Sequence, residues 1–294
     1  MAVIQSDIAV PVAAPARPHR VWRYVRRHPT IIAGAILLLI MVAMAIFAPW
    51  LGTIDPQALS PIKRLRWPSA EYWFGTDMLG RDVYSRTVYG ARVSLEVGIS
   101  VAVLSTALGL LIGVVAGFTR WVDAIVMRIM DGLMSIPEIL IAIALMALTR
   151  ASMGNVIFAI TVAQVPRVTR LVRGIVLTLR EQPYVEAAIA SGTSFVKILW
   201  RHIVPNTIPP LLVQGTFTAA GAMITEAILS FLGAGTPPNI PSWGNIMAEG
   251  RSLFQVAYYI VLFPGIMLSL TVLAMNLLGD GLRDALDPRL ARRL

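Results

Sequence analysis

Residues 170–206 read RLVRGIVLTLREQPYVEAAIASGTSFVKILWRHIVPN. The stretch decides the fold because uncharged apolar runs flank it, 151–166 before and 203–225 after, each read as a helix crossing hydrocarbon. Antiparallel helices are usually joined by roughly two to eight residues. Here about thirty intervene, residues 174–204. Within them Pro183 suits a helix start, Glu186 suits its first turn, and Gly192 supplies a stop where positive φ costs little. A second short helix is expected over 194–202, ending before Pro205 opens the next span. The expected product is a helix–turn–helix lying parallel to the membrane, with small residues such as Ala187, Ala188 and Gly192 outward. Small residues let the backbone of another protein approach closely.

The composition agrees with a membrane setting. Of 294 residues 56% are hydrophobic and 14% charged, against about 25% charged in ordinary soluble domains. The mean hydropathy is +0.72. A soluble single-core enzyme and a disordered scaffold are both excluded. Six spans are expected, in an all-α polytopic protein, at 31–48, 97–119, 139–149, 151–166, 203–225 and 252–279. The third extends backward through Glu138 and Pro137, where a kink is expected. The first run exceeds the length of a cleaved signal and follows a long tail, so it is read as an anchored span. The organisation is then a tail (1–30), a first span (31–51), a long outer loop (52–92), a transmembrane core (93–280) whose hairpin occupies 174–204, and a second tail (281–294).

The formal net charge is +9. Seventeen of the 25 Lys and Arg fall on segments that share a side with the N-terminus, and eight on the other. That bias places both termini and the 174–204 segment in the cytoplasm, where anionic lipid also attracts basic residues. No basic stripe interleaved with aromatic residues points to nucleic acid. The absence of Cys excludes disulfides, thiolate metal sites and thiol catalysis.

Carboxylates at membrane depth are costly unless neutral, paired or facing water. Glu226, in ITEAILSFLG at 224–233, is the leading candidate for the transport pathway, with a hydrogen-bonded structural role equally open. Glu138 and Glu96, near span ends, are read as structural. Gly109, Gly113 and Gly117 recur every four residues, a small-residue face for close helix packing. Pro237, Pro238, Pro241, Trp243 and Gly244 read as a rigid outer loop, at the membrane surface or beneath a delivering protein.

Four blocks carry a family resemblance. EAAIASG at 186–192 with HIVPN at 202–206 resembles the EAA loop by which membrane subunits of ATP-binding-cassette (ABC) importers dock onto ATPase subunits; Val204 stands where the broad pattern has Leu. The wider stretch from Arg170, FGTDMLGRDVYSRTVYGARVS at 74–94, FLGAGTPPNIPSWGNIMAEGR at 231–251 and NLLGDGLRDALDPR at 276–289 are similar to the dipeptide, oligopeptide and nickel permeases, their second permease subunit in particular. The resemblance implies the type I importer permease (MetI-like) fold in a bacterial plasma membrane. It implies ATPase coupling through Glu186, Ala187, Ala188, Gly192 and Pro205. It also implies as partners a second homologous permease, two ABC ATPases that bind ATP and Mg, and an extracytoplasmic peptide-binding protein.

No GxxxxGK motif occurs, so the chain cannot itself cradle ATP phosphates and no cofactor of its own is expected. The three histidines, His19, His28 and His202, form no motif for a metal or nucleophile. Nickel or another small solute is an alternative cargo. An ion-coupled secondary transporter is the rival class, but no repeat relates the two halves.

Overall fold

The computed structural model describes residues 29–286. Most of the expected N-terminal tail, including Arg17, Arg20, Arg23, Arg26 and Arg27, and residues 287–294 lie outside the described residues. Among the described residues the chain is helical without strands, and runs α1 (Pro29–Ile46), α2 (Val83–Phe118), α3 (Arg120–Met134), α4 (Glu138–Ala147), α5 (Met153–Arg180), α6 (Pro183–Ala190), α7 (Phe195–Ile198), α8 (Val204–Phe231), α9 (Trp243–Gly250) and α10 (Tyr259–Leu286). The helices α1, α2, α10 and the run Phe195–Phe231 are long and apolar enough to cross a membrane; α3 and α4 meet at 88° and together make one broken candidate. The α5 helix does not reach that threshold, so these criteria give four or five spans where six were expected.

Helix α2 is the spine. Its 36 residues extend about 54 Å at 1.5 Å per residue. It starts well before the expected Val97 because Asp82 caps it, accepting from the Ser85 amide at 2.8 Å. The long loop therefore ends at residue 82 rather than 92. Helices α2 and α5 run parallel in close contact, since ideal Cβ atoms built on Gly109, Gly113 and Gly117 would sit 2.5, 2.7 and 2.8 Å from Val168, Val172 and Val176. The expected small-residue seam is thus present. Helix α8 packs antiparallel on α2, where Gly98 meets Met223 and Ala219. Helix α1 packs antiparallel on α10, with Gly34 against Leu277 and Leu278.

Residues 47–82 and 232–258 build a cap over one end of this bundle. Its centre is a cluster of four charges. Asp77 Oδ2 accepts from Arg81 Nε at 2.6 Å and from Arg86 Nη1 at 2.6 Å, and Glu249 accepts from Arg81 Nη2 at 2.5 Å and from Arg86 at 2.9 and 3.1 Å. Asp77 and Arg86 are almost wholly buried. The second Asp77 oxygen takes the Leu79 and Arg81 amides, at 2.8 and 2.9 Å, which folds DMLGR into a tight turn around its own carboxylate. Beside it the Tyr259 hydroxyl reaches the Arg66 and Thr76 carbonyls at 3.0 and 3.1 Å, and Phe74 stacks on Phe263 at 3.8 Å. Trp243 was expected in a surface loop. It opens α9 and is fully buried, its indole N–H donating to the Thr87 carbonyl at 2.9 Å. Burial of so large a ring is favourable once that single donor is satisfied. The sixth expected span starts later than residue 252 because Arg251–Leu253 form a 3₁₀ turn that closes the cap before α10 begins at Tyr259.

Three stability outcomes follow from this packing. Gly113→Leu must overpack the α2–α5 seam and is expected to cost about 1–3 kcal/mol. In contrast Gly132→Ala, with no atom within 4 Å of its new Cβ, should hold or raise the thermal midpoint of the purified protein. Arg86→Met leaves Asp77 and Glu249 sharing Arg81 as their one cation and is expected to cost about 3–5 kcal/mol. A Gly113→Leu protein that melts like the parent would refute the seam, and an unshifted midpoint for Arg86→Met would refute the cluster's structural weight.

Candidate docking hairpin and intramembrane carboxylates

At the end of the bundle opposite the cap, the chain leaves α5 at Arg180 and turns through Glu181 and Gln182 into α6. Pro183 occupies the first helical position, where its missing N–H costs nothing, and Glu186 sits in the first turn. The helix ends in a Schellman turn. Gly192 has φ of +72°, its amide donates to the Ile189 carbonyl at 2.9 Å, and the Thr193 amide donates to the Ala188 carbonyl at 3.1 Å. The expected stop at Gly192 is therefore realised by the residue that tolerates this backbone.

One side of the hairpin is bolted down. Val185, Ile198 and Ile203 are buried in one cluster with Val114 of α2, Val168, Val172 and Val176 of α5 and Leu211 of α8. Phe195 packs edge-on against Phe118 at the end of α2, with ring centroids 4.8 Å apart. The other side is bare: Glu186 and Ala187 are exposed and Gly192 has nothing within 4 Å of an added Cβ, whereas Ala188, expected outward, is half-buried against the apolar cluster. Tyr184, Ile189, Val196 and Trp200 are also open, Trp200 at 69% exposure. This side of the hairpin is thus an apolar surface that no other described residue covers.

The second short helix differs from expectation. It does not end before Pro205: α7 passes through a π turn, Leu199–Ile203, directly into α8, making one continuous run from Phe195 to Phe231. Pro205 lacks the N–H that would bond the preceding turn, and its ring crowds the carbonyls there. A wider turn absorbs both problems. Pro205 is exposed in the first turn of α8, on a different element from Glu186, Ala187, Ala188 and Gly192.

Glu226 is fully enclosed. Its Oε1 accepts from Ser230 Oγ at 2.8 Å and from Thr236 Oγ1 at 3.3 Å, and Asn245 Nδ2 donates to Thr236 Oγ1 at 2.9 Å, so the carboxylate ties α8 to the cap. Oε2 has no partner. Glu138 is different: its side chain is 36% exposed. Gln164 Nε2 donates to Glu138 Oε2 at 3.1 Å and Thr225 Oγ1 donates to Oε1 at 3.4 Å.

A set of ion pairs escaped the sequence reading. Arg167, Arg170 and Arg173 fall just beyond the expected fourth span, 151–166. They lie within α5 and face Glu138, Asp131 and Asp123 in turn. Arg173 grips Asp123 with two nitrogens, Nη2 at 2.7 Å from Oδ2 and Nε on Oδ1, while Arg167 stands 3.7 Å from Glu138. Spacing of the three arginines at every third residue was the available signal. It could not name acids 29 to 50 positions away. No group of three or more His, Asp or Glu side chains that could hold a metal ion occurs among the described residues.

Residues 108–292 match the family described as binding-protein-dependent transport system inner membrane component, and residues 19–68 match the N-terminal TM domain of oligopeptide transport permease C. Among curated relatives, a probable peptide ABC transporter permease of Sinorhizobium fredii is 54% identical, the alignment covering 94% of each chain. A dipeptide transport system permease of Alkalihalophilus pseudofirmus is 41% identical over 92% of this chain and 89% of its own. A glutathione transport system permease of Pectobacterium atrosepticum is 41% identical over 92% and 90%.

Substitutions at Glu226 test its tie to the cap. Glu226→Gln keeps an oxygen for Ser230 and Thr236 and is expected to shift stability by less than about 1 kcal/mol. Glu226→Ala opens a cavity beside unpaired hydroxyls and should cost about 2–4 kcal/mol. Tryptophan fluorescence during thermal unfolding reads both, and equal melting of the two variants would contradict the assignment.

Proposed function

We propose, for a chain that belongs to the binding-protein-dependent transport system inner membrane component family, that it is a permease subunit of an ATP-driven importer of dipeptides or oligopeptides, acting as one half of a translocation pathway. Its relatives bear peptide, dipeptide and glutathione permease names. ATP and Mg bind to separate ATPase subunits, since the sequence offers no phosphate-binding loop. In this reading the working assembly sits in a bacterial inner membrane, with a second, homologous permease beside this chain, two ATPases under the hairpin, and an extracytoplasmic peptide-binding protein over the cap. Both termini and the hairpin lie in the cytoplasm. The chain crosses six times, with the broken pair α3–α4 and the arginine-bearing α5 as the third and fourth crossings, and lipid covers the remaining apolar faces.

The mechanism is alternating access driven from the hairpin. ATPase closure on ATP displaces α6 with Glu186, Ala187, Ala188 and Gly192, and Pro205 marks where that displacement enters α8. A lever must be rigid where it is attached and free where it is pushed. The observation that supports this reading is the hairpin's two-sidedness: Val185, Ile198 and Ile203 are locked against α2, α5 and α8, and Tyr184, Ile189 and Trp200 lie open. Within this scheme Glu226 is a scaffold residue, since its carboxylate is enclosed by Ser230 and Thr236.

Gly192→Glu places a charge on the open face without a steric clash, at a backbone cost of about 1–2 kcal/mol. The variant is expected to insert and assemble with its partner permease. Peptide uptake by reconstituted vesicles should fall at least about tenfold, roughly 1.4 kcal/mol of lost coupling, while ATP hydrolysis ceases to respond to the liganded binding protein. Ile189→Asp, free of the left-handed backbone, should behave alike. Undiminished uptake in both variants defeats the lever.

A further inference from the structure

Glu138, which the pathway reading above leaves unused, opens α4 immediately after the α3–α4 bend, and its side chain is neither enclosed nor fully paired. Gln164, six residues before Arg170 on α5, is 2% exposed, and Thr225 on α8 is 4% exposed. They flank the carboxylate at 3.1 and 3.4 Å. Gln164 lies eleven residues inside α5 and Thr225 six residues from the end of α8, about 16 and 9 Å by helical rise, so the group sits well within the bundle. The Arg167 guanidinium is 3.7 Å away on a side chain 60% exposed, beyond hydrogen-bond distance. A carboxylate at such depth, with more than a third of its side chain open, is tolerated where it faces water rather than lipid.

Two further observations point to a ligand. The Oε1 atom of the buried Gln164 has no partner. A Cβ on Gly221 of α8 would meet only Gln164 Nε2, at 3.9 Å, so α8 leaves room beside that amide. The arrangement therefore offers acceptors on Glu138, Gln164 and Thr225 and no competing buried cation. An ammonium group brings three N–H donors and one positive charge.

We propose that Glu138, Gln164 and Thr225 form a subsite on the translocation path that takes the α-ammonium group of a passing peptide. This rests on the peptide-importer reading. In the empty path Arg167 balances the Glu138 charge at a distance. The peptide ammonium displaces that loose pairing, gaining a charge-assisted hydrogen bond and using the free Gln164 oxygen. Gly221 leaves the gap through which the peptide end reaches it.

The test uses the whole complex, with both permeases, the ATPases and the binding protein, in vesicles. Uptake of a dipeptide and of its N-acetylated form is compared for the parent and for Glu138→Gln. The expected result is a fall of about tenfold for the free amine, roughly 1.4 kcal/mol, with the uptake of the acetylated peptide and the stimulated ATPase rate within about twofold of the parent. Equal loss for the two peptides, or no loss for either, overturns the subsite. Because the chain has no Cys, Gly221→Cys adds one thiol to it, with Ile224→Cys as a second variant on the open face of the same helix. Cationic methanethiosulfonate should label these thiols faster than the anionic reagent, the preference should vanish with Glu138→Gln, and the dipeptide should protect. Thiols that do not react, or that react equally with both reagents, also overturn it. A parent complex that takes up no peptide refutes the importer reading instead, whereas a fully active Glu138→Gln refutes the subsite alone.

Discussion

The balance of four charges in the cap is the constraint on which the architecture rests. Asp77, Arg81, Arg86 and Glu249 come from three elements: a turn, the first part of α2 and the end of α9. Burying any one of them alone would be prohibitive, and burying all four with mutual hydrogen bonds is not. Their joint satisfaction holds the residues that close around them in one arrangement. From that arrangement come the cap on α2, the seat for Trp243 and the start of α10 at Tyr259. Sequence separation of well over one hundred residues between Arg86 and Glu249 makes the cluster a clasp between the first and last thirds of the chain.

At the other end the physics is apolar and close-packed. Three glycines bring α2 within backbone contact of α5, and Val168, Val172 and Val176 of α5 sit against them. The hairpin then rests on that seam through Val185, Ile198 and Ile203. The molecule therefore joins a polar, over-determined outer piece to an apolar base, and between them the α3–α4 segment combines apolar packing through Ala142 and Met146 with individual ion pairs to Arg167, Arg170 and Arg173. Helices tied by exposed pairs move past one another more readily than helices tied by a glycine seam.

Features decided locally were legible in the sequence. Gly192 adopts positive φ because a helix stop after Ser191 demands it, and the four-residue glycine period does what such a period permits. Features decided by distant partners were not. Helix α2 was expected to begin at Val97, where the uncharged run starts, yet ahead of it Arg86 is neutralised in the cap and Arg92 donates to the Ala45 and Ile46 carbonyls. The continuation of α5 beyond Pro166 was hidden for the same reason: its arginines look hydrophilic until their acids on α3 and α4 are known. Trp243 was given to the surface because nothing nearby in sequence announces the Thr87 carbonyl. The enclosure of Glu226 by Thr236 and the openness of Glu138 beside Gln164 and Thr225 were not legible from position along a span.

The π turn at Leu199–Ile203 has a consequence for how the hairpin tolerates change. A π turn carries one surplus residue relative to regular helix, and each residue in an α-helix corresponds to about 100° of rotation. Winding the same residues at ordinary α pitch would swing Phe195 and its neighbours by about 100° around the axis, away from Phe118. The bulge therefore works as a phasing element, fixing the angular setting of the hairpin's open face against a shaft that carries Thr225 six residues from its far end.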